Sequence, residues 1–268
     1  MTALVVIPAR WGSTRLPGKP LMMIGGRTLL SRVVDVGRAA IAGDDTELLV
    51  ATDDERVLKH ARDLGCTAVM TDETLATGSA RTLVAALDRP APPTIVCCLQ
   101  GDTPFIPPDA IQLVLQRLAR GDCDCATPVV RLGWEALDAL RAHKCSSPTS
   151  GTTCVRADDG RALWFSKAML PQIRGEELLR REAATSPVYQ HLGLYAYTLD
   201  ALITIEAVPP STNEVLEGLE QLRILELGLT IQTVELQSGP FTMSGIDTPA
   251  DILRAERLIA GGADTLSG

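Results

Sequence analysis

The residues best equipped for chemistry stand in loops that follow apolar runs. The first loop, "RWGSTRLPGK", carries Arg10, Arg15 and Lys19 together with Gly12 and Gly18. Glycines let backbone N–H groups approach an anion closely, and three cations in one loop of an acidic chain make a local phosphate site. The spacing is not that of a Walker A loop, which has four residues between its first glycine and a Gly-Lys pair followed by Ser or Thr. Here five residues separate Gly12 from Gly18-Lys19, and Pro20 follows. Two carboxylates complete the pattern, Asp102 in "LQGDTPFIP" and Asp247 in "SGIDTPADIL". Either one alone reads as a turn or cap residue. Brought to one edge of a sheet opposite the cation loop, they suit a Mg²⁺ ion shared with phosphate oxygens.

Such residues need a scaffold, and the hydrophobic pattern supplies an α/β one. "ALVVIPA", "TELLVAT", "TAVM" and "PPTIVCCLQ" are strand-length apolar runs, and helical periodicity in "TLLSRVVDVGRAAI", "DDERVLKHARDLG" and "ARTLVAALD" separates them. That alternation is the βαβ pattern of a parallel sheet, whose ligands bind beyond the carboxyl ends of the strands. Asp53 is placed to cap the second helix and Gly65 to end it. After about residue 122 the alternation loosens: "DCATPVVRL" and "GTTCVRADDGRALWFS" read as strands of a mixed sheet, and "RGEELLRREAATSPVY" as an exposed excursion. "TNEVLEGLEQLRILELG" reads as one amphipathic helix, "TIQTVEL" as a strand, and "TPADILRAERLIA" as a closing helix with Thr248 as cap and Pro249 in its first turn. The economical reading is one domain over residues 1–268, in which 122–200 form a lid or dimerisation section.

The bulk properties set limits on partners. A net charge of -8 and a pI near 5.0 disfavour general attraction to nucleic acid or an anionic membrane. Seven cysteines without CxxC spacing read as free thiols, and the "CDC" at Cys123 and Cys125 as alternation along a strand. The opening residues lack a basic n-region and a cleavage site, so a cytoplasmic location is expected.

Taken in order, "VVIPARWGSTRLPGKPL", "QGDTPFIP", "FSKAMLP", "HLGLYAY", "LEGLEQLRIL" and "GIDTPADI" resemble the CMP-Kdo synthetases from Leu4 to about Ile259. The resemblance implies a Rossmann-like nucleotide-diphospho-sugar transferase fold with a mixed, mainly parallel sheet, and a homodimer. It implies transfer of CMP from CTP, with Mg²⁺ as cofactor and pyrophosphate released. On the family pattern Arg10, Arg15 and Lys19 hold the triphosphate, and Ala9 and Ser13 supply backbone around the nucleotide. Thr77, Gly78 and Ser79 lie near the base and ribose with Gln100 close by, and Asp102 and Asp247 are metal ligands. Lys19, Arg10 and Asp102 carry the catalytic role, while Arg81, His191, Tyr195, Glu220 and Gln221 line the acceptor pocket.

The chain also departs from the family. Leu75-Ala76 stand where His-Gln is usual, Ala80 replaces an acidic residue, "SSPTSGTT" replaces a segment containing lysine, and Ser211-Thr212-Asn213-Glu214 replace Ser-Pro-Leu-Glu. Placed on the acceptor side, these changes remove groups that a polyhydroxylated sugar would use, since buried polar groups are costly to leave unpaired. The resulting expectation is a small anionic acceptor, a phosphonate such as phosphonoformate. A Kdo-type sugar acid and an inactive nucleotide-binding module are the alternatives.

Overall fold

The computed structural model describes residues 2–12, 16–237 and 245–263. Its centre is β1 (Ala3–Pro8), whose Val5 and Ile7 pack into one core layer and Leu4 and Val6 into the other. A strand covered on both faces needs a continuous apolar run, which is why this segment does not alternate. β1 pairs in parallel with β4 (Glu47–Thr52) and with β6 (Ile95–Leu99), and β5 (Thr67–Met70) adds in parallel outside β4. A small hairpin, β2 (Met23–Ile24) and β3 (Arg27–Thr28), precedes α1. The connecting helices α1 (Leu29–Ala40), α2 (Glu55–Asp63), α3 (Gly78–Leu87) and α4 (Pro108–Leu118) cover the two faces.

The second half continues the same sheet with strands of both senses. β7 (Cys125–Gly133), β8 (Thr152–Arg156), β9 (Ala162–Ser166), β10 (Thr185–His191) and β11 (Leu194–Thr198) complete the order β5-β4-β1-β6-β11-β7-β10-β8-β9, and β12 (Ile231–Leu236) runs parallel beside β7. β7, β8 and β12 run with β6, and β9, β10 and β11 run against it. The sheet is therefore mixed: its nucleotide-type half is parallel, while β11 pairs antiparallel with both β6 and β7. The remaining helices are α5 (Trp134–Ser146), α6 (Glu176–Glu182), α7 (Leu199–Glu206), α8 (Thr212–Glu217), α9 (Glu220–Glu226) and α10 (Pro249–Leu258).

Two local expectations need correction, and a third gains detail. Asp54, not Asp53, caps α2, accepting from the Arg56 N–H at 2.9 Å, which leaves the Asp53 carboxylate for the sheet edge. The segment after Arg174 is exposed as expected over α6, where no residue is buried, and it then runs into β10. The helix expected over "TNEVLEGLEQLRILELG" is two, because Gly218 adopts φ 63 and turns the chain out of the α8 axis before α9 begins. Gly65 ends α2, and Thr248 caps α10 with Pro249 at its first turn, as the sequence suggests. All seven cysteines are free, and burial raises the thiol pKa of Cys97, Cys98 and Cys125. Among the described residues no helix is long and apolar enough to cross a membrane.

Candidate functional site

Because β1, β4 and β6 are parallel, their carboxyl ends meet at one edge, and the loops leaving them build two adjoining clefts. At the end of β1 the chain is pinned: the Ala9 N–H donates to Ala51 O at 2.8 Å, and Ala9 O accepts from the Thr52 hydroxyl at 2.6 Å. Two residues on, the Trp11 N–H donates to Asp53 at 2.8 Å. The Arg56 guanidinium lies 3.4 Å from the centre of the Trp11 ring. Gly18, at φ 70, lies so close to this ring that a side chain there would meet it at 2.8 Å. The cation loop thus starts and ends on a fixed aromatic plate. Ser13 and Arg15 lie outside the described residues.

The first cleft, about 290 Å³, is bounded by Ala9, Arg10 and Lys19 on one side and by Thr77, Gly78 and Gln100 on the other. Arg10 Nη1 donates to Ala76 O at 3.3 Å across the cleft. Thr77 caps α3, its hydroxyl accepting from the Ala80 N–H at 3.0 Å, so the positive end of that helix faces the cavity. Ser79 is turned away from the opening and donates to Glu220 Oε2 at 2.6 Å. It therefore fixes Glu220, which lines both clefts, rather than lining the cavity itself.

Asp102 and Asp247 come together although 144 positions separate their backbone neighbours: the Ile246 N–H donates to Asp102 O at 2.8 Å. Their carboxylates converge on the Lys19 ammonium, 2.7 Å from Asp102 Oδ2 and 3.1 Å from Asp247 Oδ1. No group of three or more His, Cys, Asp or Glu converges among the described residues.

Arg81, expected in the acceptor pocket, borders the first cleft and is 1% exposed. Its guanidinium donates to Asp53 at 3.0 Å, to Leu75 O at 3.3 Å and to the Thr71 hydroxyl. Burial lowers its pKa, and the Asp53 charge opposes that shift. Its partners tie the loop 71–75 to the end of β4.

The second cleft, about 380 Å³, shares Gln100, Asp102, Glu220 and Asp247 with the first. Beyond them stand His191, Tyr195 and Gln221, all buried, together with Lys167. The Thr127 hydroxyl spends its single proton on Leu194 O at 2.7 Å, so at 2.9 Å it accepts from His191 Nε2–H. Burial, with Lys167 nearby, pushes the His191 pKa down to about 3, so the ring is neutral and its Nδ1 is an acceptor. Burial also raises the Tyr195 phenol well above its ordinary value, keeping it a donor. The Gln221 Nε2 amide is buried without a protein partner, an unusual state for a donor that borders a cavity.

Lys167 escaped sequence reasoning, although it stands in "FSKAMLP". Its signal was position: a cation directly after an apolar strand, β9, at the edge where ligands bind. Its Nζ donates to the Thr152 hydroxyl at 3.1 Å; burial lowers its pKa, while Glu217 and Asp247 raise it.

The departures from the family pattern are spread over both clefts and beyond them. Ala76 lines the first cleft, Leu75 offers its carbonyl to Arg81, and Ala80 gives its N–H to Thr77. Ser211 and Glu214 form a capping box on α8, with Glu214 paired to Arg223 at 3.0 Å. Of all these positions only Gly151 and Thr152, within "SSPTSGTT", border the second cleft, and Lys167 supplies a cation beside them. That cleft remains rich in donors and acceptors.

A family model described as cytidylyltransferase matches residues 4–231. The chain is 40% identical over 261 residues to a 3-deoxy-manno-octulosonate cytidylyltransferase of Maricaulis maris, covering 97% of this chain and 98% of that one. It is 41% identical over 266 residues to the protein of the same name from Chelativorans sp., with 97% and 98% covered. Among solved structures, a CMP:2-keto-3-deoxy-manno-octonic acid synthetase complexed with CTP superposes with a TM-score of 0.82 at 32% identity, covering 98% of this chain and 100% of that one.

Proposed function

The chain belongs to the CMP-Kdo synthetase (3-deoxy-manno-octulosonate cytidylyltransferase) family, and from that membership and the two joined clefts we propose that it transfers CMP from CTP to a Kdo-type sugar acid. Transfer of a cytidylyl group is the family's chemistry. The choice of acceptor rests on one observation: the second cleft opens onto the first across Asp102 and Asp247 and presents Lys167, His191, Tyr195 and Gln221 together. Lys167 suits the carboxylate of a sugar acid. The His191 Nδ1 acceptor and the Gln221 and Tyr195 donors suit its hydroxyls. A molecule as small as phosphonoformate would leave most of these groups unpaired, which is costly for buried polar atoms.

The residues divide the work by position. Arg10, Lys19 and the N-terminus of α3 meet the triphosphate, and Gln100 and Gly78 bound the space left for the nucleoside. An acceptor oxygen lying by the shared wall then faces the α-phosphorus with the pyrophosphate departing on the far side. Lys19 offsets charge that moves onto the leaving group, a transition-state effect. Asp102 and Asp247 fit a Mg²⁺ ion: both reach a single ammonium, so they are close enough to share one cation, and Mg²⁺ takes few protein carboxylates and fills its shell with water and phosphate oxygens. When bound, such an ion would neutralise phosphate charge and make an acceptor hydroxyl more acidic.

Replacing Lys167 with Met tests the acceptor assignment. The KM for the sugar acid should rise by about tenfold or more, as expected for loss of one charge-assisted contact, with the KM for CTP unchanged. Equal changes in both constants would remove Lys167 from the acceptor cleft.

A further inference from the structure

Lys144, near the end of α5, does not reach either cleft, yet its side chain is anchored more heavily than a surface lysine would be. Its ammonium donates to Ser150 O at 2.6 Å, Gly151 O at 3.0 Å and Lys167 O at 2.5 Å, with Pro148 O at 3.4 Å. Four backbone carbonyls from two separate loops therefore surround one charge. An ammonium has three donors and no acceptor, so carbonyls are its natural partners, and each such bond is stronger than a neutral one.

Both loops end at the second cleft. Gly151 and Thr152 border it from one loop and Lys167 from the other. Residue 167 is held from both sides, because its N–H donates to Glu217 Oε2 at 2.7 Å while its C=O accepts from Lys144. The flanking backbone is fixed too: the Ala168 N–H donates to Ser166 Oγ at 2.9 Å, and Ala168 O accepts from Thr153 Oγ1 at 2.7 Å. From this fixed backbone the Lys167 side chain reaches Thr152 and the cavity. None of these bonds touches the walls of the first cleft.

We propose that Lys144 is a positioning residue for the acceptor cleft, its ammonium clamping the 148–151 loop to the Lys167 backbone so that Lys167 and Thr152 hold fixed places around the acceptor. This rests on the reading of the second cleft as the acceptor site. Without the ammonium, the carbonyls of Ser150, Gly151 and Lys167 lose a common partner, the two loops separate, and Lys167 no longer presents its charge at one place. Nucleotide binding is untouched.

The test uses the full chain with Lys144→Met and, should that variant fail to fold, Lys144→Gln, whose amide keeps two donors without the charge. Amide hydrogen exchange should quicken in residues 147–152 and 166–170 and stay unchanged in α3 and β1. With the sugar acid as varied substrate, its KM should rise by about tenfold, with kcat and the KM for CTP within about twofold of the parent values. Unchanged exchange in both loops, an unchanged acceptor KM, or a parallel rise in both KM values would overturn the proposal. If the unmodified protein uses no sugar acid, the acceptor reading falls, and the exchange measurement alone decides whether Lys144 clamps the two loops.

Discussion

The Lys19 ammonium lies 2.7 Å from Asp102 Oδ2, so the side chain proposed to meet the triphosphate also counters a carboxylate proposed to hold a metal. Asp247 joins the same ammonium at 3.1 Å. A divalent cation and an ammonium cannot share that space, since like charges at a few ångströms repel strongly. If Asp102 and Asp247 hold a metal, Lys19 would have to leave them on metal binding, and a bound triphosphate would give it a new partner. The Lys19→Met variant should bind Mn²⁺ in the absence of nucleotide about tenfold or more tightly than the parent protein, and turn over more slowly. A Mn²⁺ titration followed by electron paramagnetic resonance reads the first effect. Equal affinities would mean that Lys19 does not guard the site.

Asp102→Asn and Asp247→Asn each remove a proposed hard anionic ligand while keeping shape. Turnover should fall by about a hundredfold or more in either variant, with the thermal midpoint little changed, because a metal site with two protein carboxylates tolerates the loss of neither. Near-normal rates at low Mg²⁺ in one variant would strike that residue from the metal site.

Gly101 joins β6 to Asp102, and a Cβ at that position would sit 2.5 Å from Pro8 O. Backbone, unlike a flexible side chain, cannot give way cheaply. Gly101→Ala should destabilise the protein by about 1–3 kcal/mol, read as a lower urea midpoint, and should disturb Asp102 as well. A stability equal to the parent's would show that the β1 and β6 ends are free to separate.

How much of this was legible in the sequence depends on whether a feature was local. The parallel half was readable, because β1, β4 and β6 are continuous apolar runs covered on both faces. The cation loop and the two carboxylates were readable by type. What failed was direction. Nothing local shows that Asp53 turns from capping α2 to receive Trp11 and Arg81, and this pairing is what draws Arg81 to the first cleft. The Gly218 break was visible as a residue but was outweighed by the helical periodicity on both sides of it. Leu75, Ala76 and Ala80 read as acceptor-side residues, but proximity in sequence to Arg81 does not decide which cleft a side chain borders, and Ala76 lines the first. The phosphonate expectation rested on that placing.

His191 offers a test by pH. Its folded pKa of about 3 lies below the ordinary 6.5, because burial and Lys167 both oppose protonation. The preference for a neutral ring therefore stabilises the fold fully above pH 6.5, and that contribution is lost as pH falls from 6.5 toward 3, by up to about 1.4 kcal/mol per pH unit. His191→Gln, which keeps a donor for Thr127, should lose less stability than the parent between pH 6.5 and 4.5 in urea unfolding. Identical pH slopes would show that His191 titrates normally in the folded protein.

The central claim, cytidylyl transfer from CTP to a Kdo-type sugar acid across the wall formed by Asp102 and Asp247, is tested most directly by pyrophosphate release with CTP, Mg²⁺ and a panel of acceptors at equal concentration. Kdo should support release well above phosphonoformate and other small phosphonates, and UTP in place of CTP should support little. Faster release with a small phosphonate than with Kdo would contradict the account, and the polar wall of Lys167, His191, Tyr195 and Gln221 would then need another occupant.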